Sequence, residues 1–199
     1  MPRDSTGTDL ADHFLIAMPG LEDGAFARSV IYLCEHTEDG ALGLVVNKPG
    51  SMDLGGLFDK VDLPLARSEL SRQIVLQGGP LQMDRGFVLH EPLLDLEAGP
   101  QNALFSSTRR VSRDVALTTS RDVLEALACG GGPRRLCVAL GCVGWEGGQL
   151  ESELLENLWL TVEADPSLLF EVPIEQRYER AMALLGIDAG RLSGQAGHA

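Results

Sequence analysis

The chain has 199 residues, 44% of them hydrophobic and 23% charged, and its 16 basic and 29 acidic side chains give a formal net charge of −13. This length and composition indicate a single globular domain and exclude a mainly disordered or fibrous chain. The apolar run at residues 14–18 is far shorter than the roughly 20 residues that span a bilayer. Acidic residues precede this run, whereas a signal peptide has a basic flank. We therefore expect a soluble, cytoplasmic protein with no membrane attachment.

The first half of the chain is rich in strands. Strands are predicted at residues 14–18, 29–35, 41–47, 74–77 and 86–90, and a short helix at 54–61. Asp39-Gly40 lies between two apolar runs, which predicts a β-hairpin over residues 29–47. Gly78-Gly79-Pro80 breaks the chain between two of the later strands.

The second half mixes helices and strands. Strands are predicted at 104–108, 115–118, 136–142 and 159–163, with an arginine-rich turn at 109–113, and helices at 121–129, 149–158 and from Pro173 to Gly186. Ser120 is the expected cap of the first of these helices. Because strands and helices do not alternate regularly, we predict an α+β domain with a mostly antiparallel or mixed sheet. A loose tail at 1–12, one domain at 13–187 and a second tail at 188–199 complete this organisation.

The four cysteines form no C-x-x-C pair, and three of them lie in apolar surroundings. We expect reduced thiols that serve as small core residues. His36 and His90 each follow the apolar part of a predicted strand. With Cys34 they could form a metal or redox site if the strand ends met, or each imidazole could simply bond a turn backbone. The spacing alone predicts no metal ligand set.

Two further patterns were weighed as binding sites. The glycines at 141, 144, 147 and 148 follow a buried strand, but they do not match a dinucleotide fingerprint, and Glu146 opposes an anion there. A tight strand-to-helix turn is the simpler interpretation. Residues 101–136 carry six arginines against three acids, whereas residues 146–180 carry nine acids against two arginines. The arginines could form a patch for nucleic acid or an acidic partner, or they could neutralise acidic groups within the fold or across a self-association contact.

Four segments together resemble the YqgE/AlgH family of bacterial proteins. They are residues 14–20 with 26–30, residues 34–36 with 40–49, residues 78–80 with 85–90, and residues 139–141 with Gly144, Trp145, Gly148, Gln149, Leu150, Glu153, Asn157 and Trp159. The resemblance covers about residues 13–187. It implies one α+β domain in which a bent, mostly antiparallel sheet forms a pseudo-barrel with helices packed outside. The family brings no established catalytic residue or cofactor, and one branch is named for regulation of alginate production.

Three hypotheses for the function follow. The first is an interaction module that binds a protein partner and affects transcription indirectly, since the net negative charge of the chain disfavours direct DNA binding. The second is a small-molecule or enzymatic site at the strand-end motifs, and it requires a shared cleft. Its candidate binding residues are His36, Asn47, Arg85, His90, Trp145 and Gln149. The third is a Cys/His redox or metal sensor. We favour binding over catalysis, predict no cofactor, and leave the oligomeric state open.

Overall fold

The computed structural model describes residues 9–21, 24–93 and 104–187. The strands are β1 (His13–Ala17), β2 (Val30–Thr37), β3 (Gly40–Val45), β4 (Pro49–Asp53), β5 (Ile74–Gln77), β6 (Leu81–His90), β7 (Thr108–Arg110), β8 (Ala116–Thr118), β9 (Leu136–Glu146) and β10 (Trp159–Glu163). The helices are α1 (Leu54–Lys60), α2 (Asp122–Ala128), α3 (Gln149–Leu155), α4 (Pro166–Phe170) and α5 (Arg177–Leu184). Short 3₁₀ turns lie at Ser68–Leu70 and Ile174–Gln176.

All ten strands belong to one sheet, which branches at β9. The main order is β10-β1-β2-β3-β9-β6-β8-β7, with β5 paired to β9 and β4 paired to β5. The first half of β9 pairs with β5 and β6, and its second half pairs with β3. Among the strands of the described residues, the β5–β9 pairing alone is parallel. The predicted α+β class with a bent, mostly antiparallel sheet is therefore confirmed.

The sheet curls into a half-barrel. Arg109 on β7 forms an ion pair with Glu35 on β2, although four strands separate β7 from β2 in the sheet order. Along β1, Phe14 and Ile16 enter the central core, whereas Leu15 and Ala17 enter a second cluster on the opposite face. Because side chains alternate across a strand, this pattern means that both faces of the sheet are covered.

The helices cover the two faces in separate groups. Helices α4 and α5 pack into the central core through side chains such as Leu169 and Met182. Helix α3 contributes Leu150 to the second cluster, which also contains Trp145 and Trp159. Helices α1 and α2 join a third cluster, together with residues of β5, β6 and β9. The interior is therefore built mostly from aliphatic side chains, in keeping with an aromatic content of 5%.

Two glycines allow the branch at β9 to form. Gly141 adopts a left-handed backbone with φ of 79°, and a Cβ atom there would lie 2.3 Å from the carbonyl oxygen of Gly79. A Cβ atom on Gly79 would in turn lie 2.2 Å from the carbonyl oxygen of Cys142. The β5–β6 connection and β9 therefore approach so closely that only glycine fits. Sequence reasoning identified the break at Gly78-Gly79-Pro80 but not its partner segment.

Several element boundaries differ from the predictions. The strand predicted at 104–108 begins only at Thr108 and includes two arginines that were assigned to a turn, because pairing with β8 overrides their local preference. Strand β9 continues to Glu146, since β3 pairs with the segment that was predicted to be a turn. Strand β4 and helix α4 were not predicted. Ser120 does not cap α2; its hydroxyl donates to the Asp122 carboxylate, and Arg121 occupies the cap position.

The ordered core extends slightly before residue 13. The backbone N–H of Asp12 donates to the Leu33 carbonyl, and the Asp12 carbonyl accepts from Ala164. The Asp12 carboxylate also accepts from the Tyr32 hydroxyl at 2.7 Å. Asp12 therefore joins β2 to the end of β10. Residues 1–8 of the first predicted tail and all of the second, 188–199, lie outside the described residues.

Candidate functional site

Asn47 and His90 are held within the fold by their own hydrogen bonds. The side chain of Asn47 accepts from the Val30 backbone N–H at 2.8 Å and donates to the Arg28 carbonyl at 2.8 Å. His90 is 1% exposed, and its ring nitrogens bond the Glu91 carbonyl at 2.7 Å and the Thr118 hydroxyl at 2.8 Å. Burial lowers the pKa of His90, which keeps the imidazole neutral. Both side chains therefore form hydrogen bonds to other groups of the fold.

His36 joins three parts of the chain. Its Nδ1 accepts from the Leu10 backbone N–H at 3.2 Å, and its Nε2 lies 2.8 Å from the Glu151 carboxylate on α3. Both ring nitrogens of His36 and of His90 therefore have partners within the fold. No group of three His, Cys, Asp or Glu side chains arranged to hold a metal occurs in the ranges that the structure describes.

The cysteines are free thiols, and three of the four are buried. Burial raises the pKa of Cys34 well above the usual thiol range, and it raises the pKa of Cys137 to about 11. The pKa of Cys142 is also raised by burial. Because the thiolate is the reactive and metal-binding form, these three thiols are unreactive at neutral pH. Only Cys129 is exposed. These pKa values give no support to a thiol-based sensor at Cys34.

Trp145 and Gln149 do lie together, around a glutamate on α3. The Oε2 atom of Glu153 accepts from the indole N–H of Trp145 and from that of Trp159, each at 2.8 Å. Its Oε1 accepts from the Gln149 amide at 2.9 Å. The two indole rings meet edge to face with centroids 6.3 Å apart. These four side chains line a pocket of about 270 Å³ between β9, β10 and α3.

Arg85 lies in a second cleft, on the other side of β6. Leu81 pairs with Cys142 and Gly86 pairs with Leu140, so the four residues between Leu81 and Gly86 form a large β-bulge opposite the single residue Gly141 of β9. The Arg85 guanidinium donates to the Gln82 side chain at 3.0 Å and to the Thr119 hydroxyl at 3.2 Å. The cleft around it has a volume of about 320 Å³.

The same β-bulge exposes two large apolar side chains. Leu81 is 48% exposed and Met83 is 62% exposed. Met83 and Met52 line an apolar groove of about 510 Å³ alongside β4 and β5, and Leu81 lines the tryptophan pocket on the other side. We call this region, Leu81 and Met83 with the groove that contains Met52, the bulge surface. Sequence reasoning missed it, because an exposed bulge has no distinctive hydrophobic period.

The six predicted site residues therefore do not share one cleft. Trp145 and Gln149 line one pocket and Arg85 lines another, whereas His36, Asn47 and His90 make the contacts within the fold described above. Glu153, which holds the tryptophan pocket together, belongs to the motif that carries the family resemblance but was not among the six candidate residues. A single six-residue site is not formed, so the second hypothesis, which required a shared cleft for these residues, is not supported in that form.

Several arginines of the 101–136 segment are paired with carboxylates. Arg109 pairs with Glu35, and Arg121 pairs with Glu125 four residues along α2. Arg135 contacts Glu91 at 3.3 Å and Glu171 at 3.5 Å. These pairs neutralise part of the basic segment within the fold, which was one of the two interpretations of its charge.

Within the described ranges, no helix is long and apolar enough to cross a membrane. The structure is thus a single α+β domain with a curled, branched sheet and clefts on either side of one bulged strand. Comparisons with known proteins agree with this class. The AlgH-like family matches residues 14–190. The chain belongs to the AlgH-like family.

Relatives match along the whole length. A UPF0301 protein of Variovorax paradoxus is 56% identical over 199 residues and is fully covered, as is this chain. One from Verminephrobacter eiseniae is 58% identical over 98% of each chain. The solution structure of AlgH from Pseudomonas aeruginosa shares 44% identity with a TM-score of 0.75 and full coverage of both chains. The crystal structure of DIP2367 from Corynebacterium diphtheriae, at 20% identity and a TM-score of 0.68 over 92% of this chain and 88% of that one, shares the fold.

Proposed function

We propose that this protein is a cytoplasmic protein-interaction module that binds the apolar segment of a protein partner at the bulge surface. The observation that carries the proposal is the exposure of Leu81 and Met83 two residues apart on one strand, where Met83 lines a preformed groove. Large apolar side chains clustered on a monomer surface are typical of interaction sites. Leu155 is more exposed, at 85%, but it lines none of the three clefts described above.

The groove has features that suit an extended peptide. Met52 and Met83 face it from β4 and from the β-bulge, and methionine adapts to partners of different shape. Strand β4 pairs only with β5 among the described strands, which leaves an edge for a partner strand. The net charge of −13 favours encounter with a partner segment that also carries basic residues. The proposed partner therefore presents apolar residues flanked by Lys or Arg.

An effect on gene expression would then act through the partner. The acidic balance of the chain and the ion pairs of Arg109, Arg121 and Arg135 support this indirect route over direct DNA binding. A gel-shift titration of the pure protein at low salt tests this part of the proposal. We expect no sequence-selective shift, and tight selective binding would overturn the indirect route.

Affinity capture with matched variants tests the docking surface. The tagged protein, the double variant Leu81→Glu/Met83→Glu and the control Leu155→Glu are incubated with lysates of the source bacterium, with and without nuclease. The control also places a charge on an exposed leucine, but away from the bulge surface. We expect wild type and control to capture the same protein, and the double variant to capture it about tenfold less, which corresponds to about 1.4 kcal/mol of binding free energy.

Three results would contradict the proposal. They are the absence of a captured protein, equal capture by the double variant, and capture that nuclease abolishes. The captured partner is then made pure, and its apolar, basic segment is titrated as a peptide against the three proteins. Saturable binding that only the double variant loses is the supporting result.

A further inference from the structure

The cleft around Arg85 carries an inference beyond the proposed interaction function and independent of it. The cleft lies between β2–β3 on one wall and β6–β8 on the other, where Arg109 on β7 pairs with Glu35 on β2. Its lining comes from strands β2, β3, β6, β7 and β8 and from residues 106, 107 and 119 beside them. Its volume of about 320 Å³ is at the lower end of the range for small-molecule sites.

Arg85 is positioned in this cleft but not neutralised. Its two recorded acceptors, the Gln82 amide oxygen and the Thr119 hydroxyl, are uncharged. In the part of the chain that the structure describes, no carboxylate lies within ion-pair distance of its guanidinium. The aromatic ring of Phe87 lies 5.6 Å below the guanidinium carbon, which further restrains the side chain. The cation is therefore held in place with hydrogen-bonding capacity left over.

Arg109 brings a second guanidinium from β7, on another wall of the cleft. Glu35 contacts its Nη1, and within the described ranges its Nε and Nη2 have no recorded partner. Arg109 is 52% exposed at its side chain, so these nitrogens can be reached by a ligand. Two guanidinium groups against one carboxylate make the cleft positive in a chain whose net charge is strongly negative.

The remaining lining fits an anion with an apolar body. Four hydroxyl groups, those of Ser106, Ser107, Thr108 and Thr119, line the cleft, whereas Leu42, Phe87 and Leu117 supply apolar surface. Ser106 donates its hydroxyl to the Asp122 carboxylate and Thr108 shares a hydrogen bond with Thr118, so the hydroxyls of Ser107 and Thr119 are the donors left for a ligand. Guanidinium groups bind phosphate and carboxylate through paired hydrogen bonds. Two guanidinium groups and nearby hydroxyls offer more donors than the two oxygens of a carboxylate accept. A phosphate group has three terminal oxygens and so matches this donor set better.

We infer that the cleft between Arg85 and Arg109 is a binding site for a small organic phosphate monoester, with its phosphate on the two arginines and its apolar part against Leu42 and Leu117. Sequence reasoning singled out Arg85 but did not bring it together with Arg109. Strand β7 alternates its side chains, so Arg109 faces the cleft while its neighbour Arg110 bonds the carbonyls of Ser112 and Arg113 instead.

An NMR titration of backbone amides with phenyl phosphate tests the inference. Three further probes serve as controls. Phenol lacks the phosphate group, inorganic phosphate lacks the apolar ring, and benzoate carries a carboxylate in place of the phosphate. We expect saturable shifts at residues 82–87 and 106–109 with phenyl phosphate, weaker binding of inorganic phosphate, and no shifts there with phenol. Affinity should fall as salt is added, because the attraction is electrostatic.

Matched variants separate the cleft from the general charge of the molecule. Arg85→Gln should weaken phenyl phosphate binding about tenfold or more, and Arg85→Lys should weaken it less, because lysine keeps the charge but loses the paired geometry. Arg110→Gln removes the same charge from the same strand as Arg109, but outside the cleft. We expect it to change affinity by less than about twofold.

Other outcomes would overturn the inference. Absence of saturable shifts at the cleft, or equal weakening by Arg85→Gln and Arg110→Gln, would show that the arginines form no site. Benzoate binding as tightly as phenyl phosphate would overturn the assignment to phosphate. The spectra themselves report folding, so loss of binding in a correctly folded Arg85→Gln variant is attributable to the missing guanidinium.

Discussion

Glu153 is the residue on which the tryptophan pocket depends. A single carboxylate accepts hydrogen bonds from two indole groups that are each 6% exposed, and it bonds a glutamine as well. Buried N–H groups without an acceptor are costly, so removal of this carboxylate affects both rings at once. The role of Glu153 is therefore to join α3 to β9 and β10.

We expect Glu153→Ala to lower the free energy of unfolding by about 2 to 4 kcal/mol, because two buried indole N–H groups lose their acceptor. Glu153→Gln keeps one acceptor oxygen and should cost less than half as much. Urea denaturation followed by tryptophan fluorescence measures both values. Glu156→Ala, an exposed change just beyond the end of the same helix, should stay within about 0.5 kcal/mol. A similar cost for Glu156→Ala and Glu153→Ala would contradict this role.

His90 should make stability depend on pH in a defined direction. Burial lowers its pKa below the ordinary value of 6.5, more than the Glu91 carbonyl and charge raise it. The unfolded chain therefore binds the proton more readily than the folded protein does. The contribution of neutral His90 is complete above about pH 6.5 and is lost as the pH falls from there toward the lowered pKa.

Two measurements check this prediction. The ring resonances of His90 should titrate with a midpoint below 6.5 in the folded protein. Between about pH 7 and pH 5, wild type should lose more stability than His90→Gln does. A midpoint at or above the ordinary value, or parallel pH curves for the two proteins, would show that the imidazole is not held neutral.

At the scale of elements, Arg177 ties the last helix to the rest of the fold. Its buried guanidinium donates to the Val46 carbonyl at 2.6 Å, the Leu169 carbonyl at 2.8 Å and the Val172 carbonyl at 3.0 Å. These carbonyls lie after β3, in α4 and after α4. One side chain thus anchors α5 to the end of the β2–β3 hairpin and to the preceding helix.

We expect Arg177→Met to destabilise the protein by about 3 kcal/mol or more, because three carbonyl groups lose a charged donor in surroundings with little water. Arg180→Met, an exposed change on the same helix, should have an effect within about 0.5 kcal/mol. Chemical denaturation of the two variants gives the comparison. Hydrogen exchange should also show faster opening of α5 in Arg177→Met, and unchanged protection there would refute the anchoring role.

At the scale of the whole molecule, the acidic excess opposes folding. With a net charge of −13, the compact state carries more repulsion between like charges than the expanded chain does. Many of the recorded ion pairs are exposed, so each contributes little to stability. Screening by salt should therefore weaken the repulsion between acidic side chains more than it weakens the attraction within the ion pairs.

We expect the Tm to rise as sodium chloride is increased from about 10 mM to about 150 mM, where the Debye length is about 8 Å. Calorimetry at pH 7 measures this, and potassium chloride at equal ionic strength should give the same shift, since screening does not depend on the cation. A Tm that falls with salt would show instead that the surface ion pairs, such as that of Arg28 with Glu179, dominate the electrostatics.

The sequence by itself determined the fold class and most of the strands. Asp39-Gly40 and the flanking apolar runs placed the central hairpin, and the irregular succession of elements excluded a parallel α/β sheet. These features are local, because turn preference and alternation act over a few residues. The family motifs also marked Trp145, Gln149 and Glu153, which do meet in one pocket.

Tertiary structure alone decided which polar residues meet. His36 and His90 end similar strands, yet one bonds Glu151 on α3 and the other is buried against Thr118. Arg85 and Arg109 are distant in sequence, and the curl of the sheet brings them into one cleft. The bulge surface likewise depends on the register between β6 and β9. Such contacts follow from long-range strand pairing and curvature, and no local pattern of residues encodes them.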